Sequence, residues 1–277
     1  MIAITLALAA SLSWGVGDFL GGVSARRLPT FTVMAVSQVA GLAAVVVLAA
    51  ALAEAPPGTG GIAFAVGAGL GGIVGLAALY RGMAVGAIAI VAPISAASAV
   101  VPLTVGLARG ERPAALQLAG VGVVLVGVAL TSHELGPGGR QLAAGAGLAV
   151  VAALGFGLYY VLIAEAADES ALWAVLVARA VSSLIAVAVV LARRRQSSLH
   201  VGDLPVLALI GLFDVGANCL LVLALNRGLV SLVPVLASLY PVTTVLLARA
   251  VLGERIAREQ QAGVALAFTG VALISTG

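Results

Sequence analysis

The chain has 277 residues, of which 62% are hydrophobic and 9% charged, with a mean hydropathy of +1.21. That leaves too little polar surface to cover a water-soluble globule of this size, so lipid must be its solvent. The net charge of +3 comes from 14 basic residues, all arginine, and in so apolar a chain it bears on membrane orientation rather than on nucleic acid.

Apolar runs long enough to cross about 30 Å of hydrocarbon as helix lie at residues 2–22, 31–53, 61–80, 86–108, 114–132, 141–163, 171–192, 204–225, 229–252 and 260–276. They predict an all-α integral membrane protein with ten transmembrane helices. Helices are favoured over barrel strands because the runs are continuous rather than alternating. The first run lacks a basic leader region, and its Leu12-Ser13-Trp14-Gly15 is echoed by Leu154-Gly155-Phe156-Gly157, so it is read as a helix of the mature protein.

On the third run Gly67, Gly71 and Gly75 recur every four residues, a spacing that lets membrane helices approach closely. Pro93, Pro102, Pro234 and Pro241 each remove a helical hydrogen bond and predict bends in the fourth and ninth helices, static or hinged. Ser95, Ser98 and Ser238 either line a cavity or bond back to their own helix. Glu111 and Glu254 open the fifth and tenth helices and are read as caps favoured by the helix dipole. Cys219 is the single cysteine, which excludes an intrachain disulfide.

The fifth and tenth spans reveal the organisation. Residues 110–132 and 253–275 align without a gap at 13 of 23 positions, with Gly120 and Gly127 matched by Gly263 and Gly270. Ala78-Leu79-Tyr80-Arg81-Gly82 likewise matches Ala224-Leu225-Asn226-Arg227-Gly228. The halves divide in the helix-breaking stretch 133–140, giving a first repeat of residues 1–135 and a second of 136–277. Five helices per half is odd, so the second copy must enter the membrane from the opposite side. That predicts two inverted five-helix repeats, and alternating access follows from the symmetry.

Trp14-Gly15, the two Ala-Leu-x-Arg-Gly anchors, Pro241 followed by Gly253-Glu254-Arg255, and the glycine-rich fifth and tenth helices together resemble the drug/metabolite transporter superfamily, in its EamA-type ten-helix branch. The resemblance covers essentially the whole chain. It departs from the pattern at Ser98, which stands where the second half has Pro241. It implies a carrier of amino acids, other metabolites or drugs, with the first, third and fourth helices of each half around a central cavity and the fifth and tenth packed together.

Charges buried in a bilayer need a reason, because each costs about 2.5 to 3.5 kcal/mol at the centre of a membrane helix. Asp214 and Arg179 lie mid-span in the eighth and seventh runs, and Asp18 lies deep in the first but about one turn from its end, where it either lines a cavity or sits in headgroup water. Asp214 shares a helix face with Asn218, four residues on. Asp214 reads either as a proton-titrating or cation-recognising group or as the structural partner of Arg179. Arg179 reads either as that partner or as a clamp on a substrate carboxylate. Trp14, Tyr80, Tyr160 and Tyr240 are placed to stack on substrate or merely to pack, and Tyr160 aligns with Asp18 across the repeat. The expected binding set is therefore Trp14, Asp18, Tyr80, Tyr160, Arg179, Asp214, Asn218 and Tyr240.

The expectation is a transporter of a small organic metabolite, an amino acid or related compound, working by export in the inner (plasma) membrane. Its partners are the small-molecule substrate and the lipid bilayer, with either protons as a coupling ion or facilitated diffusion without one. A monomer suffices, with no cofactor and no nucleic acid. A lipid flippase is the alternative. An intramembrane enzyme fits less well, because His133 and His200 lie in connections and Cys219 has no histidine partner within the membrane. Ten arginines at odd-numbered connections against three at even-numbered ones put both termini outside by the positive-inside rule. Members of the family it resembles are drawn with both termini in the cytoplasm.

Overall fold

A computed structural model describes residues 1–53, 56–85, 88–131, 139–193, 199–252 and 258–276. The expected repeat boundary at 135/136, and Gly253, Glu254 and Arg255, lie outside these residues. Among the described residues the chain is helical throughout: α1 (Ile2–Ala25), α2 (Thr30–Leu52), α3 (Thr59–Val85), α4 (Ile88–Ala96), α5 (Val100–Ala108), α6 (Ala115–Thr131), α7 (Gly139–Ala167), α8 (Ala171–Arg193), α9 (Leu204–Leu225), α10 (Val233–Ala237), α11 (Tyr240–Leu252) and α12 (Arg258–Thr276).

Seven helical stretches of the described residues are long and apolar enough to cross a membrane: those of α1, α2, α3, α7, α8 and α9, and the stretch Val233–Val251. Shorter apolar helices cover Ile94–Ala108, Ala115–Leu130 and Gln261–Ile274. The expected fourth and ninth runs are broken rather than continuous. A 3-10 turn over Ala97–Ala99 separates α4 from α5 between Pro93 and Pro102, and Ser238 and Leu239 separate α10 from α11 between Pro234 and Pro241. Prolines that cannot donate to the helical ladder account for both breaks.

The matched anchors differ locally. Arg81 and Gly82 lie within α3, whereas Arg227 and Gly228 follow the end of α9. Ser95 and Ser238 donate back to Ala92 O and Val235 O, the second of the two readings for these hydroxyls.

Glycine decides which helices touch most closely. α3 and α7 run antiparallel: an added Cβ at Gly67 would meet Leu162, one at Gly71 would sit 2.9 Å from Gly155 O, and one at Gly82 would meet Leu148. α6 and α12 are also antiparallel, since Gly120 faces Gly270 and Ile274 while Gly127 faces Gly263 and Ala267. α1 packs along α9 and against α10 and α11, and α2 lies between α8 and α9. Such close approach replaces the hydrophobic drive that is missing between helices in lipid.

One end of the bundle is tied by polar bonds. α5 closes in a Schellman turn, with Gly110 at φ +91° and Glu111 N donating to Gly106 O at 3.0 Å. That reversal aims the Glu111 carboxylate at Val230 N (2.9 Å) and Ser231 N (2.8 Å). The expectation that Glu111 caps its own helix is therefore corrected. Gln117 caps α6 instead by accepting from Ala114 N at 2.9 Å, and Glu111 serves the chain entering α10. Arg109 pairs with Glu165, and Glu169 accepts from Gly58 N (2.7 Å) and Gly61 N (2.9 Å) at the start of α3.

Candidate substrate cavity

A central cavity enclosing about 670 Å³ of space, its open mouth included, lies among α1, α2, α3, α7, α8, α9 and α11. Its apolar wall includes Leu76, Phe156 and Val175, and Gly69 and Gly72 line it where α3 packs against Ala178 of α8 and Tyr159 of α7. Its polar wall is built around Asp214.

Small residues bring that wall together. Gly41 and Gly211 press α2 onto α9, where an added Cβ at Gly211 would lie 2.0 Å from Ser37 O. That approach carries Gln38 to Asp214, with Gln38 Nε2 3.4 Å from Asp214 Oδ2. Ser13 donates to Phe213 O at 2.6 Å and holds α1 to α9, so that Trp14 Nε1 donates to Asp214 Oδ1 at 3.0 Å. From α8, Arg179 Nη1 donates to Asp214 Oδ2 at 2.5 Å and to Gln38 Oε1 at 2.5 Å. Ser182 also donates to Gln38 Oε1, at 2.7 Å. Asn218, one turn beyond Asp214, donates to Oδ1 at 3.0 Å and accepts from the Tyr159 hydroxyl.

The Asp214 carboxylate thus receives N–H groups from four side chains. The Arg179 side chain is 5% exposed and that of Asp214 19%. With one opposite charge and three neutral donors, the pair meets the condition under which burial of charge is tolerated.

Seven of the eight expected residues line the cavity: Trp14, Asp18, Tyr160, Arg179, Asp214, Asn218 and Tyr240. The Trp14 and Tyr160 rings meet edge to face at 6.0 Å and 60°. The Tyr240 hydroxyl bonds Ser95 and donates to Ala92 O at 3.2 Å, so it ties α11 to α4 as well as facing the cavity. Tyr80 is the exception. It is buried behind the wall, its ring filling the space beside the Cα of Gly21, and does not line the cavity. Gln38, Ser182, Phe156 and Tyr159 are lining residues outside the expected set. A lone glutamine in the apolar run 31–53 was the signal for Gln38, as a buried amide requires partners.

Asp18 differs from Asp214. It is 8% exposed, and among the described residues no hydrogen bond or ion pair reaches its carboxylate. A second hollow opens where α2 begins and α8 ends, lined by Phe31, Arg81 and Arg193, with the Arg193 guanidinium 5.1 Å from the Phe31 ring centre.

The model of the EamA-like transporter family matches the chain twice, over residues 1–133 and 143–276. A solved crystal structure is similar over 99% of this chain and 96% of its own, with a TM-score of 0.77 at 16% identity, a likeness of fold. No curated protein matches.

Proposed function

As the chain belongs to the EamA-like transporter family, within the drug/metabolite transporter superfamily, it is a multi-pass membrane transporter, and we propose that it carries a small organic metabolite through the central cavity by alternating access. The observation that carries this reading is the Asp214–Arg179 network in the wall of a cavity lined by helices from both halves of the chain. Charge is held mid-membrane at a cost that packing alone does not require.

In this reading, residues 1–135 and 136–277 are two five-helix repeats of opposite orientation. The support is that α6 and α12, whose sequences match, run antiparallel to one another. Exchanging the halves also preserves the pairing, because α1 on α9 becomes α7 on α3 and α2 on α9 becomes α8 on α3. The polar ties from Arg109, Glu111 and Glu169 close one end, while the hollow at Arg81 and Arg193 marks the other. Breaking those ties while closing the hollow exposes the cavity to the opposite side.

Export of an amino acid or related compound across the inner (plasma) membrane, coupled to protons, is the working form of this proposal. One copy suffices, because a single chain supplies every wall. The test is uptake into proteoliposomes across a metabolite panel, with and without a pH gradient, for wild type and Asp214→Asn. Saturable uptake that the variant loses supports the reading. Unchanged proton dependence in an active variant removes Asp214 from coupling, and flux without saturation replaces the carrier with a pore.

A further inference from the structure

The acidic and basic residues around the cavity do not pair one to one. Its acidic and basic lining residues among the described ones are Asp18, Asp214 and Arg179. Arg179 and Asp214 neutralise each other at 2.5 Å, and Gln38, Trp14 and Asn218 complete the hydrogen bonding of the Asp214 carboxylate. Asp18 is left as the one ionisable lining residue without a partner among the described residues, more than nine-tenths buried and facing the cavity.

An unpaired buried carboxylate costs several kcal/mol, even after the protein relaxes around it. A partner that arrives from outside removes that cost. The surroundings specify its chemistry. Trp14 lies one helical turn before Asp18 and so shares its face of α1, and the Trp14 ring meets that of Tyr160 at 6.0 Å. Both rings line the same cavity as Phe156 and Tyr240. A carboxylate beside aromatic faces suits an organic ammonium group, whose charge the carboxylate neutralises and whose alkyl or aryl substituents the rings cover.

The rival charge classes fit less well. A free anion would find no unmatched basic group among the described lining residues, because Arg179 is paired with Asp214. A zwitterion would need a basic group for its carboxylate, and Arg179 Nη1 is already committed to Asp214 and Gln38.

Resting on the carrier reading above but replacing its amino-acid substrate, we propose that Asp18 is the recognition carboxylate of the cavity and that the carried compounds are organic amines, primary to quaternary, with an apolar or aromatic body. The arginines at the outer hollow attract anions instead, so probes of opposite charge separate the two locations.

The experiment measures equilibrium binding of benzyltrimethylammonium and of benzoate to the full chain in lipid nanodiscs, for wild type, Asp18→Asn and Asp18→Glu. Saturable uptake of a metabolite panel into proteoliposomes is measured in parallel. The expected result is that benzyltrimethylammonium binds wild type, and that Asp18→Asn weakens it about tenfold or more, the scale of one charge-assisted contact. Asp18→Glu, which keeps the charge, holds most of the affinity and guards against a folding artefact. Preference for benzoate, cation binding that Asp18→Asn leaves unchanged, or no cation binding beside saturable uptake of other compounds would each overturn the proposal and leave the carrier standing. Asp18-dependent cation binding without saturable uptake of any compound would overturn the carrier reading alone.

Discussion

Arg179 Nη1 lies 2.5 Å from Asp214 Oδ2, joining α8 and α9 across 35 residues of sequence at the cavity wall. Removing either charge leaves the other without its counter-ion. Asp214→Asn is expected to destabilise the protein by about 3 to 5 kcal/mol, the cost of breaking a buried pair. The double variant Arg179→Met/Asp214→Leu is expected to recover only part of that loss, because no unpaired charge remains while Trp14, Gln38 and Asn218 still lose their acceptor. Thermal unfolding of Arg179→Met, Asp214→Leu and the double variant, read as a double-mutant cycle, checks this.

Asp18→Asn is expected to move stability the other way. It removes a buried ionisable group with no partner among the described residues, so the folded state gains roughly 1 to 3 kcal/mol, the desolvation penalty of an unsatisfied group. A raised midpoint for Asp18→Asn beside a lowered one for Asp214→Asn would separate a site awaiting a ligand from a completed pair.

Two glycines five residues apart on α6 make a matched control. An added Cβ at Gly127 would lie 2.5 Å from Ala267 N, whereas one at Gly122 would meet nothing within 4 Å. Gly127→Leu is expected to force α6 from α12 and cost about 1 to 3 kcal/mol, as overpacking does. Gly122→Ala is expected to be neutral or to stabilise by up to about 1 kcal/mol through helix propensity. Thermal unfolding of both variants in the same detergent gives the comparison.

Glu111→Ala removes the acceptor for Val230 N and Ser231 N. The expected loss is about 0.5 to 2 kcal/mol, that of a cap. Because this carboxylate joins the two halves at the tied end, the variant is also expected to open that end more often. Faster labelling of a cysteine introduced at Val230, in a Cys219→Ala background, reads that opening; an unchanged rate would show that the tie does not gate.

What the sequence made legible was local. Asp214 and Asn218 share a face because they are four apart, and the two do bond each other. The glycine stripes of α3, α6 and α12 sit where helices meet, since only close approach demands them. Apart from the Arg179–Asp214 pair, long-range partners were not legible. Glu111 has the position of a helix cap, but the Schellman turn at Gly110 redirects it to a segment 119 residues away. Tyr80 was expected in the cavity on its place in the repeat, yet the missing side chain at Gly21 draws its ring behind the wall. Gln38 stayed hidden because its role depends on Gly41 meeting Gly211, a contact between residues 170 apart in the chain. The pairing of Arg179 with Asp214 was one of the two readings of those residues, and the side chains do meet; that Asp18 would be left without a partner was out of reach.

The most direct test of the account is flux through a deliberately narrowed cavity. Leu76 lines the cavity and makes no bond in the polar network, so Leu76→Trp reduces the space and leaves Asp214 and Arg179 paired. Uptake of a transported compound into proteoliposomes is expected to saturate for wild type and to fall by about tenfold or more in Leu76→Trp, matching the loss of roughly one substrate contact's free energy, with helical content unchanged. Equal uptake by the two proteins at matched incorporation would mean that the substrate travels elsewhere, and would contradict the central claim.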